Sequence, residues 1–228
     1  MNIWSLTSSP LCTLPCNNVT LCYVTLHYID QFITCLFQCL ISGSLPSELS
    51  QLKKLEILAV DKNGLKTLPT GLFTNLTHLK NLSLSSNQLT AFPESLGALR
   101  HLDAIDLSDN KIRTLPDSVG DLQVVELNMN RNQIASVPDS LARCTRLKVL
   151  RIEENCLPLE AVTPQLLKES SISLLAVEGN LFDIKQLRET EGYDQVITMI
   201  HAISVVNTLL AVSVIISTII VRGKCLLL

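Results

Sequence analysis

Short stretches of alternating apolar and polar residues recur along the middle of the chain, and each is followed by an asparagine. The stretches LTHLKNLSLSSNQLTAFP (76–93) and LRHLDAIDLSDNKIRTLP (99–116) place their apolar residues at the same positions. Two apolar residues separated by one polar residue predict a β-strand with one buried face. A Pro at the end of each of four stretches (Pro69, Pro93, Pro116 and Pro138) favours an irregular or short helical return over a second strand.

The asparagines indicate an internal repeat. They are Asn63, Asn87, Asn110, Asn132, Asn155 and Asn180, at a spacing of about 23 residues. The pattern L-x-x-L-x-L-x-x-N-x-L matches the leucine-rich template. Amphipathic leucine-rich helices are the alternative, but they would keep a 3.6-residue period without regular Pro. We therefore predict an α/β fold: a leucine-rich-repeat solenoid with a short curved parallel β-sheet and an irregular or helical convex side.

The asparagine of each unit has a predicted structural role. One amide carries two donors and an acceptor, so it can satisfy backbone groups where the chain turns away from the strand. Stacked units would align these amides into a ladder, while the leucines stack inward on those of the neighbouring unit.

The repeats divide the chain into predicted regions. We assign residues 1–43 to a divergent, cysteine-containing apolar segment, 44–182 to the repeats, 183–194 to a capping helix and 195–228 to an apolar tail. Residues 44–49 resemble the end of a repeat, yet residues 20–43 supply no strand of the repeat type. We therefore expect an incomplete N-terminal cap.

The C-terminal end of the array carries a helix signal. Asp183 and Gln186 are spaced as a capping box, and Gly192 is placed to stop a short helix that carries Ile184 and Leu187 inward. This helix would cover the last repeat.

Composition and charge narrow the function. Aromatic residues make up 4% of the chain and the formal net charge is −3, so nothing favours a nucleic-acid partner, for which a basic face is the first sign. The four histidines (His27, His78, His101 and His201) form no metal motif, and there is no P-loop or G-x-G-x-x-G. We expect no catalysis, no cofactor and no metal site, with His78 and His101 as surface residues.

The positive mean hydropathy of +0.34 comes from the two ends of the chain. Residues 203–221 contain no charge and are long enough for a transmembrane helix, followed by Arg222 and Lys224. A buried β-rich segment or a translation artefact is the alternative. The positive-inside rule would place the repeats outside the cell, whereas a tail anchor would leave them in the cytosol.

Cysteine usage gives weaker signals. The apolar stretch 19–41 is a poor signal peptide and a poor spanning helix, and the N-terminal cysteines have neither an even number nor zinc spacing (Cys12, Cys16, Cys22, Cys35 and Cys39). Cys144 and Cys156 lie within repeats and are predicted to be reduced, buried thiols.

The concave face of the predicted sheet is the candidate binding surface. Counting back six, four and two residues from four of the asparagines reaches the side chains that flank the inward leucines. The predicted partner-binding residues are Asn81, Ser83, Ser85, Asp106, Ser108, Glu126, Asn128, Asn130, Arg151 and Glu153, with Ala104 and Val149 between them. A merely solvated sheet face is the alternative. We expect a monomer that binds another protein.

The repeats with L-P-x-x-L endings resemble those of the Ras-suppressor-type intracellular leucine-rich-repeat proteins, over roughly residues 44–194. The resemblance implies an intracellular, membrane-associated scaffold or adaptor with a role in signalling and with its repeats in the cytoplasm. It also implies an N-terminal myristoylation signal, but Met1-Asn2 has no Gly at position 2. The apolar run after Asp194 likewise departs from the polar, basic tail of that family.

A receptor-like ectodomain anchored in a membrane is the rival interpretation. It is motivated by the apolar ends and by N-x-S/T sequons at Asn18, Asn75 and Asn81. A sugar on Asn81 would lie on the concave strands, which disfavours this interpretation.

Overall fold

Parallel strands of two or three residues form two sheets in the computed structural model, which describes residues 33–35 and 42–193. Within these residues the main sheet has seven strands. They are β1 (Ile33–Cys35), β3 (Ile57–Ala59), β5 (Asn81–Ser83), β6 (Ala104–Asp106), β7 (Glu126–Asn128), β8 (Val149–Arg151) and β9 (Leu174–Ala176), in that order. A smaller sheet pairs β2 (Ser42–Gly43) with β4 (Gly64–Leu65). The predicted repeat fold with a parallel sheet is confirmed.

The core follows from the register of these strands. Each repeat sets its strand beside the next one in parallel, so the central apolar residues align across the sheet. The aligned residues are Leu58, Leu82, Ile105, Leu127, Leu150 and Leu175. All but Leu175, on the last strand, are buried. Burying one such side chain contributes about 1.5–3 kcal/mol, and it does so only when the neighbouring repeat is present. The repeats therefore stabilise one another along one continuous core.

The N-terminal edge differs from the sequence prediction. Residues 33–35 form a strand that pairs in parallel with β3, with Thr34 opposite Leu58. The leucine pattern did not predict this strand, because strand pairing uses backbone N–H and C=O groups and needs no particular side chain. An uncovered β3 edge would offer a row of such groups. The sheet therefore begins one strand earlier than the leucine pattern does.

Short helices form most of the return segments on the other side of the core. They are 3-10 helices at Ser47–Gln51, Leu96–Ala98, Asp117–Asp121, Asp139–Arg143 and Leu159–Ala161, and an α-helix, α1, at Pro164–Glu169. Pro116 and Pro138 are the N-cap residues of two of them. Pro suits the start of a helix because its φ is fixed and because the backbone N–H that it lacks would have no partner within the helix. The short helical return that Pro predicts is confirmed at these two positions.

A short helix, α2 (Ile184–Arg188), covers the last repeat. Asp183 and Gln186 form the capping box that their spacing predicts, and Leu187 is fully buried. The helix ends at Arg188 with Glu189 as its C-cap, before Gly192, whose φ of +95° places it in the turn beyond. A Cβ at Gly192 would lie 2.7 Å from Cγ of Lys168 on α1, so glycine there lets the turn pack closely.

The predicted membrane segment and several other predicted features lie near the ends of the chain. Among the described residues, no helix is both long and apolar enough to cross a membrane. The candidate spanning segment 203–221, the sequon at Asn18 and the cysteines of residues 1–32 lie outside the described residues.

Candidate protein-binding face of the sheet

Alternate strand residues point away from the core and form three rows across the sheet. The first row contains Ile57, Asn81, Ala104, Glu126, Val149 and Leu174. The second row contains Ala59, Ser83, Asp106, Asn128, Arg151 and Ala176. The third row, two residues further along each repeat, contains Asp61, Ser85, Ser108, Asn130, Glu153 and Glu178. We call these rows together the sheet face.

The sheet face collects every residue predicted to bind a partner. All ten are half-buried or exposed, since they alternate with buried residues along each repeat. The face also contains residues that were not predicted, notably Asp61 and Glu178. The signal for them was present, because each lies two residues before an asparagine, Asn63 or Asn180.

Hydrogen bonds fix the polar side chains at the first end of the face, between two repeats at Asp61 and within one repeat at Asp106. Oδ1 of Asp61 accepts hydrogen bonds from the Ser85 backbone N–H at 2.9 Å, from the Ser85 hydroxyl at 3.0 Å and from the Ser83 hydroxyl. Oδ1 of Asp106 accepts from the Ser108 N–H at 2.9 Å and hydroxyl at 2.7 Å. These carboxylates are therefore held in place before any partner arrives.

The other end of the face is held by charged side chains. Nε of Arg151 donates to Oε1 of Glu126 at 3.0 Å. Nδ2 of Asn130 donates to Oε2 of Glu153 at 2.6 Å, while the Glu153 backbone N–H donates to Oδ1 of Asn130 at 2.8 Å. Both charges of the Arg151–Glu126 pair are partly exposed, so the pair orients these side chains more than it stabilises the fold.

The sheet face is acidic. It carries five carboxylates (Asp61, Asp106, Glu126, Glu153 and Glu178) against one cation, Arg151. The formal net charge of the whole chain is −3, so the negative charge is concentrated on this face. A polyanion would be repelled by it.

The side chains that could bind a metal ion within residues 33–35 and 42–193 are those of His, Cys, Asp and Glu. No group of three His, Cys, Asp or Glu side chains in this part of the chain could hold a metal ion. His78 and His101 are exposed, as predicted for surface residues, and Nδ1 of His78 lies 3.0 Å from the carbonyl oxygen of Lys53.

The two cysteines within the repeats occupy different environments. Cys144 is buried as predicted, at the repeat position that Leu99 holds, and its Sγ contacts the Val119 carbonyl oxygen at 3.0 Å. Burial raises the pKa of this thiol to about 11. Cys156 is exposed, and the prediction that it is buried was wrong. It directly follows the asparagine, where Gln88, Lys111 and Gln133 also face solvent.

Comparison with known proteins agrees with this geometry. Residues 53–112 match the family model described as leucine rich repeat. Residues 53–112 are therefore similar to leucine-rich repeats. A solved structure of a TLR13–ssRNA13 complex is similar, with a TM-score of 0.52 and 27% sequence identity over 60% of this chain. The matched part spans 20% of that TLR13 chain, so the similarity concerns the repeat architecture. Leucine-rich repeats generally mediate protein–protein interaction.

The asparagines of the leucine-rich repeats form a ladder inside the array. From the second asparagine onward, Oδ1 accepts a hydrogen bond from a backbone N–H of the preceding repeat. The pairs are Asn87 with Leu65, Asn110 with Leu89, Asn132 with Ile112, Asn155 with Ile134 and Asn180 with Leu157. Nδ2 donates back to a carbonyl of that repeat, as from Asn110 to Leu84 at 3.0 Å. Four of them, Asn87, Asn110, Asn132 and Asn155, are only 7% exposed. The ladder supports the sheet face from behind and does not take part in it.

Proposed function

We propose that the sheet face binds a partner protein and that the chain is a non-catalytic interaction module. The observation that carries this proposal is the fixed set of side chains on the face. Hydrogen bonds between neighbouring repeats orient Asp61, Glu126, Asn130 and Glu153 in advance. A preorganised surface loses little conformational entropy on binding, so it suits recognition.

We further propose that the chain works as an intracellular scaffold or adaptor with a role in signalling. The support is the resemblance of the L-P-x-x-L repeats to the Ras-suppressor type. Within that type, residues 100–134, 150–160 and 173–194 resemble leucine-rich-repeat-containing protein 57. This function would place the repeats in the cytoplasm at a membrane, with attachment through 203–221 as a separate proposal.

Site-specific cross-linking tests the binding surface. A photo-crosslinking amino acid replaces Ser85 on the sheet face or Ser118 on a return segment, and both positions are described by the structure. We expect a partner protein to be cross-linked through position 85 and much less through 118. Charge reversal of Glu126, Arg151 and Glu153 should then abolish the product, whereas equal yields from both positions would contradict the proposal.

A membrane-anchored, receptor-like ectodomain is the second candidate. Two observations favour it: the similarity to TLR13, which is a receptor, and the exposed sequon at Asn75. Glycosidase treatment discriminates between the candidates. A mobility shift that Asn75→Gln removes would support the ectodomain, and an unshifted band would support the cytoplasmic scaffold.

The position of the repeats relative to a membrane needs its own experiment. Alkaline extraction of membranes asks whether the chain behaves as an integral protein, and deletion of 203–221 asks whether that segment is responsible. Protease protection then reports the side on which the repeats lie. The scaffold proposal expects repeats that the protease digests from the cytosolic side of intact membranes. The separate attachment proposal expects that deletion of 203–221 abolishes retention in the membrane fraction.

A further inference from the structure

We propose that the partner presents to the sheet face an amphipathic helix of about 16 residues with one apolar and one basic side. The inference rests on the proposed binding function and names the chemistry of its ligand. It comes from the way the three rows of the sheet face differ from one another and from the dimensions of the sheet.

The chemical character of the face changes along the strand direction. Four of the six residues in the first row are apolar: Ile57, Ala104, Val149 and Leu174. The acid in that row, Glu126, is paired with Arg151. The third row contains only polar residues, with acids at Asp61, Glu153 and Glu178 and no base. The face is therefore apolar along one edge and acidic along the other.

The acidic edge can still accept donors from a partner. The hydrogen bonds described above use Oδ1 of Asp61 and Oε2 of Glu153. A carboxylate has two oxygens with about four lone-pair sites in total, so each of these groups has capacity for a Lys or Arg side chain. Hydrogen bonds to charged groups are the stronger ones, and the fixed position of each carboxylate favours such contacts.

The dimensions of the sheet fit a helix that lies across the strands. The first and third rows are four residues apart, or about 13 Å at 3.3 Å per residue, which is close to the width of about 10–12 Å of a helix with its side chains. The six strands from β3 to β9 in the main sheet span five gaps of about 4.8 Å, or about 24 Å. At 1.5 Å per residue this length corresponds to about 16 helical residues.

The acidic charge of the sheet face favours a basic amphipathic helix over nucleic acid as its ligand. TLR13 is described in complex with a single-stranded RNA, but phosphates would meet the five carboxylates of this sheet face and gain contact with one paired cation. Docking of an apolar helix side against a complementary surface is a known recognition mode, and its anchors recur at i, i+3, i+4 and i+7.

The test uses the full chain and four fluorescent probes. The first is a synthetic 16-residue peptide with Leu on one helical side and Lys on the other. The second has the same composition in scrambled order, the third has Glu in place of Lys, and the fourth is a 16-nucleotide single-stranded RNA. Fluorescence anisotropy gives each Kd. We expect the amphipathic basic peptide to bind about tenfold more tightly than the other probes.

Protein variants assign the contacts to the two edges. Glu153→Lys with Glu178→Lys should weaken peptide binding about tenfold, and Val149→Thr with Leu174→Thr about threefold, because each pair removes one side of the match. Glu94→Lys with Glu160→Lys, on exposed return segments, is the matched control and should leave Kd unchanged. Thr keeps the β-branched shape of Val149, so circular dichroism should show an intact fold.

The outcomes separate this inference from the function on which it rests. Equal binding of the scrambled peptide, preferential binding of RNA, or equal effects of the control variant would overturn the inference. If position 85 still cross-links a partner in those cases, the proposed function stands with a different ligand. If cross-linking occurs only through position 118, the function and the inference both fail.

Discussion

The side-chain oxygen of Asn110 accepts a hydrogen bond from the backbone N–H of Leu89, one repeat earlier, at 3.0 Å. The amide nitrogen of Asn110 donates to the carbonyl of Leu84 in that same repeat and to Leu107 in its own. One buried side chain therefore joins two repeats through groups that the strands cannot pair themselves.

Replacing Asn110 with Ala should lower the free energy of unfolding by about 3 kcal/mol, because the Leu89 N–H and the Leu84 carbonyl lose their partner inside the protein. Urea unfolding followed by circular dichroism measures the loss, and hydrogen exchange at Leu89 should accelerate. Asn75→Ala, in an exposed turn, is the control and should change stability by less than about 0.5 kcal/mol. Similar losses in both variants would contradict a structural role for the ladder.

Two serines that follow Pro at the same distance should respond oppositely to glycine. Ser95 has φ 66° and ψ 12°, a left-handed conformation that strains a residue with a Cβ, and Gly71 holds the equivalent place one repeat earlier with φ 75°. Ser118 lies inside the 3-10 helix Asp117–Asp121. Ser95→Gly should raise the free energy of unfolding by about 0.5 kcal/mol, and Ser118→Gly should lower it by about 1 kcal/mol.

Thermal unfolding of the two serine variants in parallel gives the comparison. Both side chains are exposed, so lost packing contributes little to either value. A fall in stability for Ser95→Gly as large as that for Ser118→Gly would show that the left-handed backbone at Ser95 is not strained.

Gly120 should not tolerate a side chain. A Cβ on this residue would lie 2.5 Å from the carbonyl oxygen of Ser140, a backbone atom of the next return segment. Gly120→Ala should lower the free energy of unfolding by about 1–3 kcal/mol, because the two 3-10 helices must move apart. Gly97→Ala is the comparison, since its Cβ would approach Cβ of Asp121 at 3.0 Å. Denaturant unfolding should show a clearly smaller effect at Gly97.

The sequence predicted the ladder and the sheet face because both depend on side chains at fixed distances from each asparagine. A repeat makes such positions equivalent, so the environment of Asn110 could be inferred from its place in the pattern. Cys156 could have been placed in the same way, since the neighbouring repeats have Gln133 and Lys111 at its position. Its apolar character, rather than its position, led to the wrong prediction of burial.

Backbone conformation was harder to predict. The residue before each asparagine is left-handed in six repeats, yet only the last one is glycine. The residues are Lys62, Ser86, Asp109, Arg131, Glu154 and Gly179. No shared residue type marks this turn, because the hydrogen bonds of the following asparagine hold it instead. The strand β1 was not predicted either, because strand pairing depends on backbone hydrogen bonds and not on a leucine pattern. In this pairing Ile33 lies opposite Ile57 of β3.

The buried thiol of Cys144 should make the free energy of unfolding of the repeats depend on pH. Burial raises the pKa of this thiol from 9.0 to about 11, so between these values the unfolded chain loses the proton and the folded chain keeps it. The contribution of the protonated Cys144 thiol to the free energy of unfolding is fully present below pH 9 and is lost as the pH rises toward 11. From pH 8 to pH 10 the wild-type protein should lose about 1 kcal/mol more stability than Cys144→Ala.

Urea unfolding of both proteins at pH 8 and pH 10 isolates this contribution, because the two chains differ only at residue 144. Mass-spectrometric mapping after iodoacetamide treatment provides an independent readout of the native state. The exposed Cys156 should be alkylated at pH 8, whereas Cys144 should react only after unfolding. Parallel loss of stability in the two proteins, together with rapid native alkylation of Cys144, would mean that this side chain does not occupy the leucine position of its repeat.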